Sequence, residues 1–170
     1  MDYLNIFKRF NELKVDYLVV GGLAVNLHGI PRMTYDIDFL IRMEEENVLR
    51  VISQFEAWGY RPRAPVNPKH LADKEKRKKW MQEKGLKAFS FYSEHLPIAE
   101  LDLVLNFPKP YVELKARAVE LDVQGVKIWV ISIKDLINMK LRAGRRQDLA
   151  DVEHLKLLLE DEGLKDGKRE

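Results

Sequence analysis

The stretch Asp36-Ile37-Asp38-Phe39-Leu40-Ile41 constrains this chain more than any other, because it sets two carboxylates inside an otherwise apolar strand. Alternation along a strand sends Asp36 and Asp38 to one face and Ile37, Phe39 and Ile41 to the other. Two carboxylates then project together, at a cost, since like charges a few ångströms apart repel and each loses hydration. Either the pair lies at a strand entrance and faces water, or something positive offsets the repulsion. A third acid, Asp102, sits inside the apolar run Leu101-Asp102-Leu103-Val104-Leu105 and favours the second reading. If the two strands pair, three carboxylates gather around one point, and hard divalent cations such as Mg²⁺ favour oxygen ligands of this kind. Glu100 shares strand parity with Asp102 and competes for the third place; Asp102 is preferred because it is more deeply embedded.

Ahead of this strand, Asp16 to Val20 reads as a buried strand that runs into Gly21-Gly22. Glycine there lets a ligand approach the backbone, and exposed N–H groups can hold a phosphate; a plain tight turn is the alternative. A short helix follows over Leu23 to His28, stopped by Gly29-Ile30-Pro31 because the residue before proline is pushed out of the helical region. His28 at the end of that helix needs no ligand role. Arg32 lies next to the acidic strand, where a cation beside three carboxylates has an electrostatic use.

The remaining pattern predicts a helix over 2–13, a helix over 44–58 with Val48, Val51, Ile52 and Phe55 on one stripe, and a loop over the proline-rich 60–70. An exposed helix is expected over 72–85, strands over 87–92 and 98–105 in the same sheet, and a hairpin of 118–123 and 126–131 around Gln124-Gly125. Ser132 caps a helix over 133–143 and a last helix spans about 148–160. The basic run from Lys69 to Lys84 is diluted by Asp73, Glu75 and Glu83, so it reads as a solvated helix before a nucleic-acid contact.

On the helix over 133–143 the buried stripe is Ile133, Leu136, Ile137, Leu141 and Gly144, and Lys140 falls on it. A lysine there either snorkels to the edge of the core or serves a site. Arg142, Arg145 and Arg146 cluster beyond it, as a solvated face or as contacts to a triphosphate or acceptor. Asp148 caps the last helix, with Asp151 in its first turn.

Composition narrows the chemistry further. The 170 residues, 46% of them hydrophobic, suit one core. No cysteine is present, so thiolate nucleophiles and Cys-based zinc are excluded. The 29 basic residues against 27 acidic ones give a densely charged surface and do not by themselves imply nucleic acid. With no apolar run of about 18 residues and no signal peptide, a soluble, cytoplasmic protein without membrane contact is expected.

Strand, Gly-Gly, short helix, Asp-x-Asp on the next strand and a later strand Asp together resemble the polymerase β type nucleotidyltransferase superfamily. The stretch VVGGLAVNLHGIPRMTYDIDFLI, with IKDLINMKLRAGRRQDLADVEHL near the C-terminus, resembles its small bacterial branch of abortive-infection and toxin–antitoxin nucleotidyltransferases. One departure is the thirteen residues between Gly22 and Asp36, more than in the most minimal members, which carry Arg32 and Thr34 towards the site. The resemblance implies an α+β nucleotidyltransferase fold, a mixed twisted sheet with helices packed mainly on one side, as a single domain over 1–165 with a frayed tail at 166–170. It implies transfer of a nucleoside monophosphate from an NTP, ATP above others, to an acceptor hydroxyl with release of pyrophosphate. Asp36, Asp38 and Asp102 are then the catalytic, metal-binding residues for two Mg²⁺ ions, with Mn²⁺ as a substitute. Gly21, Gly22, Arg32, Thr34, Lys140 and Arg146 bind the nucleotide, and Asp148 orients Arg146 or Lys140 as an alternative to capping. The acceptor is tRNA or protein; an antibiotic acceptor and a non-catalytic nucleotide-binding scaffold are the rivals. An antitoxin partner or a second subunit completing a homodimer fits a chain this short.

Overall fold

A computed structural model describes residues 2–166, with side chains as far as Asp161; the frayed tail expected from 166 lies, Asp166 apart, outside the described residues. The strands are β1 (Tyr17–Val20), β2 (Asp36–Ile41), β3 (Arg61–Pro62), β4 (Ala88–Tyr92), β5 (Glu100–Val104), β6 (Val119–Val123) and β7 (Val126–Val130). They form one seven-stranded mixed sheet in the order β3-β4-β5-β2-β1-β7-β6. β2 runs antiparallel to β1 and parallel to β5. The helices are α1 (Tyr3–Glu12), α2 (Gly21–Leu27), α3 (Glu45–Ala57), α4 (Lys74–Lys84), α5 (Tyr111–Arg117), α6 (Ile133–Ala143) and α7 (Arg146–Asp166). The architecture is α+β with a mixed sheet, as expected from the sequence. No helix among the described residues is long and apolar enough to cross a membrane.

Strand parity decides which side is core. Ile37, Phe39 and Ile41 are buried, and the Phe39 ring packs on Phe10 of α1, 5.1 Å between centroids, and on Phe55 of α3. Phe55 in turn meets Phe91 of β4 edge-on at 5.1 Å. Asp2 caps α1 by accepting from the Asn5 N–H, and Glu45 and Glu46 complement the first turn of α3. These two helices seal one face and leave the acids on the other.

Several local expectations are corrected. α2 begins at Gly21, so the glycines form its first turn instead of preceding it. The segment 60–70 is no plain loop: β3 pairs with Tyr92 and Phe91 of β4, and a 3₁₀ turn over Pro68–Ala72 buries Leu71 completely. Proline punctuation hid both, because two paired residues and one anchor carry no period. α5 carries no sequence signal for the same reason, since Leu114 is its one buried residue. Gly144 ends α6 in the left-handed conformation at φ +65° and Leu141 is exposed, so the buried stripe stops at Lys140. α4 is solvated as expected, with no buried residue, and Trp80 stacks on Phe89.

Candidate active site

The register of β2 against β5 brings the acids together: Asp38 lies directly opposite Asp102, and Asp36 opposite Glu100. Asp36, Asp38 and Asp102 line one cavity of about 220 Å³ with Gly22, Arg32, Thr34, Lys140, Arg145 and Asp148. Glu100, the rival third acid, is turned to Arg63 at 2.8 Å and does not line it.

Burial is the first cause that pushes the Asp38 carboxyl up, to about 7, with Asp102 and Asp36 adding repulsion; the Gly22 N–H and Lys140 pull the other way and lose. Asp102 is also raised, by burial before its acidic neighbours, although the Ser90 hydroxyl opposite it on β4 favours its anion. Its Oδ1 is buried without a hydrogen-bond partner. A buried carboxylate oxygen without a hydrogen-bond partner, beside a second carboxylate that burial and like charge raise above its usual range, is an arrangement that a cation between them would relieve. As the side chains stand, no three acids or histidines among the described residues converge on one ligating point. The donor set fits a hard cation, and side-chain rotation would complete it.

The cations of the cavity offset these acids only in part, because other carboxylates hold them. Lys140 is 3% exposed, and its ammonium donates to Asp148 Oδ1 at 3.2 Å and to Asp151 Oδ2 at 2.7 Å. It neither snorkels nor stands free. Arg145 Nε donates to Asp148 Oδ2 at 2.6 Å, and Arg32 Nη1 reaches Asp151. Asp148 therefore spends both oxygens on side chains and does not cap α7, which corrects the capping expectation. Asp148 and Asp151, one turn apart on α7, organise three cations facing the strand acids. Asp151 was legible only as a first-turn acid, since nothing local reveals that Arg32 and Lys140 converge on it. Arg146, expected at the nucleotide, is exposed at the start of α7 and is absent from the cavity lining, where Arg145 stands in its place.

Two further residues do something other than the sequence suggested. Thr34 Oγ1 donates to Asp36 Oδ1 at 3.0 Å and so fixes that carboxylate. The glycines make room: a Cβ on Gly21 would sit 1.8 Å from Asp38 Oδ2, and one on Gly22 would meet Thr34 Oγ1 at 2.8 Å and Arg32 Cζ at 3.2 Å. His28 closes α2 with Nε2 2.8 Å from the Ile131 carbonyl and stays structural.

Lys140→Met should cost about 3 kcal/mol at pH 7, because two buried carboxylates lose their shared ammonium while the volume is kept. Arg145 and Lys140 hold the Asp148 carboxyl below its usual range against burial; without the ammonium Asp148 is harder to ionise in the folded state, so the loss should shrink towards pH 4. Urea unfolding across pH checks it, and an unchanged midpoint would show that the buried network is inert.

A family model described as nucleotidyltransferase of unknown function (DUF6036) matches residues 4–160. No curated protein matches the chain significantly. Among solved structures, the lincosamide antibiotic adenylyltransferase LnuA, bound to lincomycin, is similar at 19% identity and TM-score 0.61, over 92% of this chain and 95% of that one. A Thermotoga maritima structure assigned as a nucleotidyltransferase is similar at 16% identity and TM-score 0.55, over 94% and 93%. ANT(2'')-Ia in complex with adenylyl-2''-tobramycin is similar at 13% identity and TM-score 0.54, over 91% and 90%. At these identities the structures speak for the fold alone.

Proposed function

Because this chain belongs to the DUF6036 family of nucleotidyltransferases, we propose that it moves a nucleoside monophosphate from an NTP, ATP above others, to an acceptor hydroxyl at Asp36, Asp38 and Asp102. The observation that carries this reading is the meeting of three carboxylates from β2 and β5, their repulsion only partly offset, beside Arg32, Lys140 and Arg145 in one cavity. A triphosphate carried with divalent cations would satisfy both, the phosphates meeting Arg32, Lys140 and Arg145 and the cations meeting the carboxylates.

Asp36, Asp38 and Asp102 would hold two Mg²⁺ ions, or Mn²⁺, which supply charge neutralisation at the triphosphate and a lowered acceptor pKa. The chain's own residues do the rest. Arg32, Lys140 and Arg145 turn towards the β- and γ-phosphates, with Asp148 and Asp151 setting their positions. Gly21 leaves room for the Asp38 carboxylate, Gly22 leaves room for Thr34 and Arg32, and Thr34 holds Asp36. Arg146, one residue from Arg145, contributes from the rim. The acceptor oxygen bonds to the α-phosphorus as the bond to the β-phosphate oxygen breaks, pyrophosphate leaves, and the hydroxyl proton passes to Asp102, whose raised affinity for protons suits it to accept one.

A macromolecular acceptor, tRNA or protein, is the first reading, in a cytoplasmic protein that an antitoxin or a second copy completes. An antibiotic acceptor is the second, favoured by the likeness to LnuA and ANT(2'')-Ia. Incubation with Mg²⁺ and α-labelled NTPs, in turn with total RNA, total protein, lincomycin and tobramycin, separates them by where label appears. Absence of label everywhere, with no NTP binding by calorimetry, would overturn the transfer reading.

A further inference from the structure

Asp38 and Asp102 line a second cavity as well, of about 430 Å³, and its chemistry is unlike that of the first. Where the first is walled by the glycine turn after β1 and by α7, the second lies towards β4, between Lys87 at its entry, Phe107 after β5, and Met139 and Arg142 on α6. Among the described residues, no acid besides Asp38 and Asp102 lines it. Lys87 and Arg142 have no ion-pair partner among the described residues, and Arg145 reaches this cavity too. Phe107 and Met139 are half-buried and offer apolar wall to a flat ring.

An in-line displacement needs the attacking oxygen opposite the leaving group. Along the sheet the acids of β2 and β5 stand in the middle, with the first cavity on the β1 side and the second on the β4 side. If pyrophosphate leaves through the first, the acceptor enters by the second. Resting on the transfer reading, we propose that the second cavity is the acceptor subsite and that it takes the hydroxyl of a phosphate-bearing nucleotide, either the end of a single RNA strand or a free nucleoside monophosphate. Lys87 and Arg142 meet the acceptor's phosphate, and Phe107 and Met139 meet its base. The new bond joins the acceptor oxygen to the α-phosphorus, the proton goes to the carboxylates, and pyrophosphate is the sole leaving group. A polycationic aminoglycoside would face Lys87, Arg142 and Arg145 and be repelled.

The test is fluorescence anisotropy of a fluorescein-labelled single-stranded RNA hexamer, with unlabelled AMP and tobramycin as competitors and a non-hydrolysable ATP analogue filling the first cavity. The hexamer should bind the wild type, and Lys87→Glu with Arg142→Glu should weaken it at least tenfold, with a salt slope shallower by about 0.7 for the one phosphate that the pair meets. Lys8→Glu, on the far face, should leave it unchanged. If the double variant misfolds by circular dichroism, each single variant should still weaken binding about threefold. Competition by AMP at matching affinity assigns the free nucleotide, and its failure to compete assigns the strand end. The proposal is overturned if neither RNA nor AMP binds, if charge reversal leaves binding intact, or if tobramycin displaces the RNA. Binding of the ATP analogue to the wild type, measured alone, separates failure of this subsite from failure of the transfer reading.

Discussion

Asp38→Asn is expected to abolish transfer and, in EDTA at pH 8, to make the protein more stable than the wild type. The sign follows from burial. The folded Asp38 carboxyl titrates near 7, raised from 3.8, so between those values the native state holds a proton that the unfolded chain has released. Wild-type stability therefore falls as pH rises from about 4 to about 7 and is level above it. At 1.36 kcal/mol per pH unit the penalty approaches about 4 kcal/mol as an upper figure, shared with Asp36 and Asp102 through their repulsion. Asparagine keeps the shape and removes the charge. Turnover should fall by at least about a thousandfold, since loss of one such anchoring charge removes several kcal/mol of transition-state stabilisation. Thermal unfolding at pH 5 and pH 8, with labelled-NTP turnover, checks both halves. Unchanged turnover would sink the role given to Asp38, and a stability difference that does not grow with pH would show that its charge is already compensated in the resting site.

Gly21→Ala is expected to be more damaging than the same change at any other described glycine. Two independent costs meet there. A φ of +65° disfavours any side chain by about 1–2 kcal/mol, and the new Cβ would lie 1.8 Å from Asp38 Oδ2 and 2.6 Å from its Cγ. Relief of that overlap demands rotation of Asp38 or a backbone shift, for about 1–3 kcal/mol more. A loss of about 2–5 kcal/mol and of all transfer should result. The second cost comes mainly from the Asp38 carboxylate, so in an Asp38→Ala background Gly21→Ala should cost only about 1–2 kcal/mol relative to Asp38→Ala alone. Urea denaturation of the four proteins of that cycle measures the coupling. Strict additivity would mean that the glycine is needed for something other than the carboxylate it touches.

These two residues also show where sequence reading reaches and where it stops. The parity of Asp36 and Asp38 follows from the period of a strand, and the burial of Phe39 on the opposite face confirms the orientation of β2. Helices with a long stripe or a full set of caps, such as α3 and α6, were legible because each carries its signal within its own residues. β3, the 3₁₀ turn and α5 were not, since each is held by contacts made elsewhere in the chain. Gly21-Gly22 reads in the sequence as a turn or as a place for phosphate. Only the pairing of Val20 with Asp38 shows that it first makes room for a carboxylate.

The sequence by itself determined that two acids share one face of an apolar strand, that a third lies in another such strand, and that a lysine interrupts an apolar helical stripe. Each is a local statement, fixed by the periods of strand and helix. Only the tertiary structure decided that Asp102 rather than Glu100 faces the cavity, that Arg145 rather than Arg146 joins it, and that Asp148 and Asp151 hold the cations of Arg32, Lys140 and Arg145. The reason is that charge pairing acts over a few ångströms of space between residues as far apart in the chain as Arg32 and Asp151, and no pattern within either segment encodes the partner.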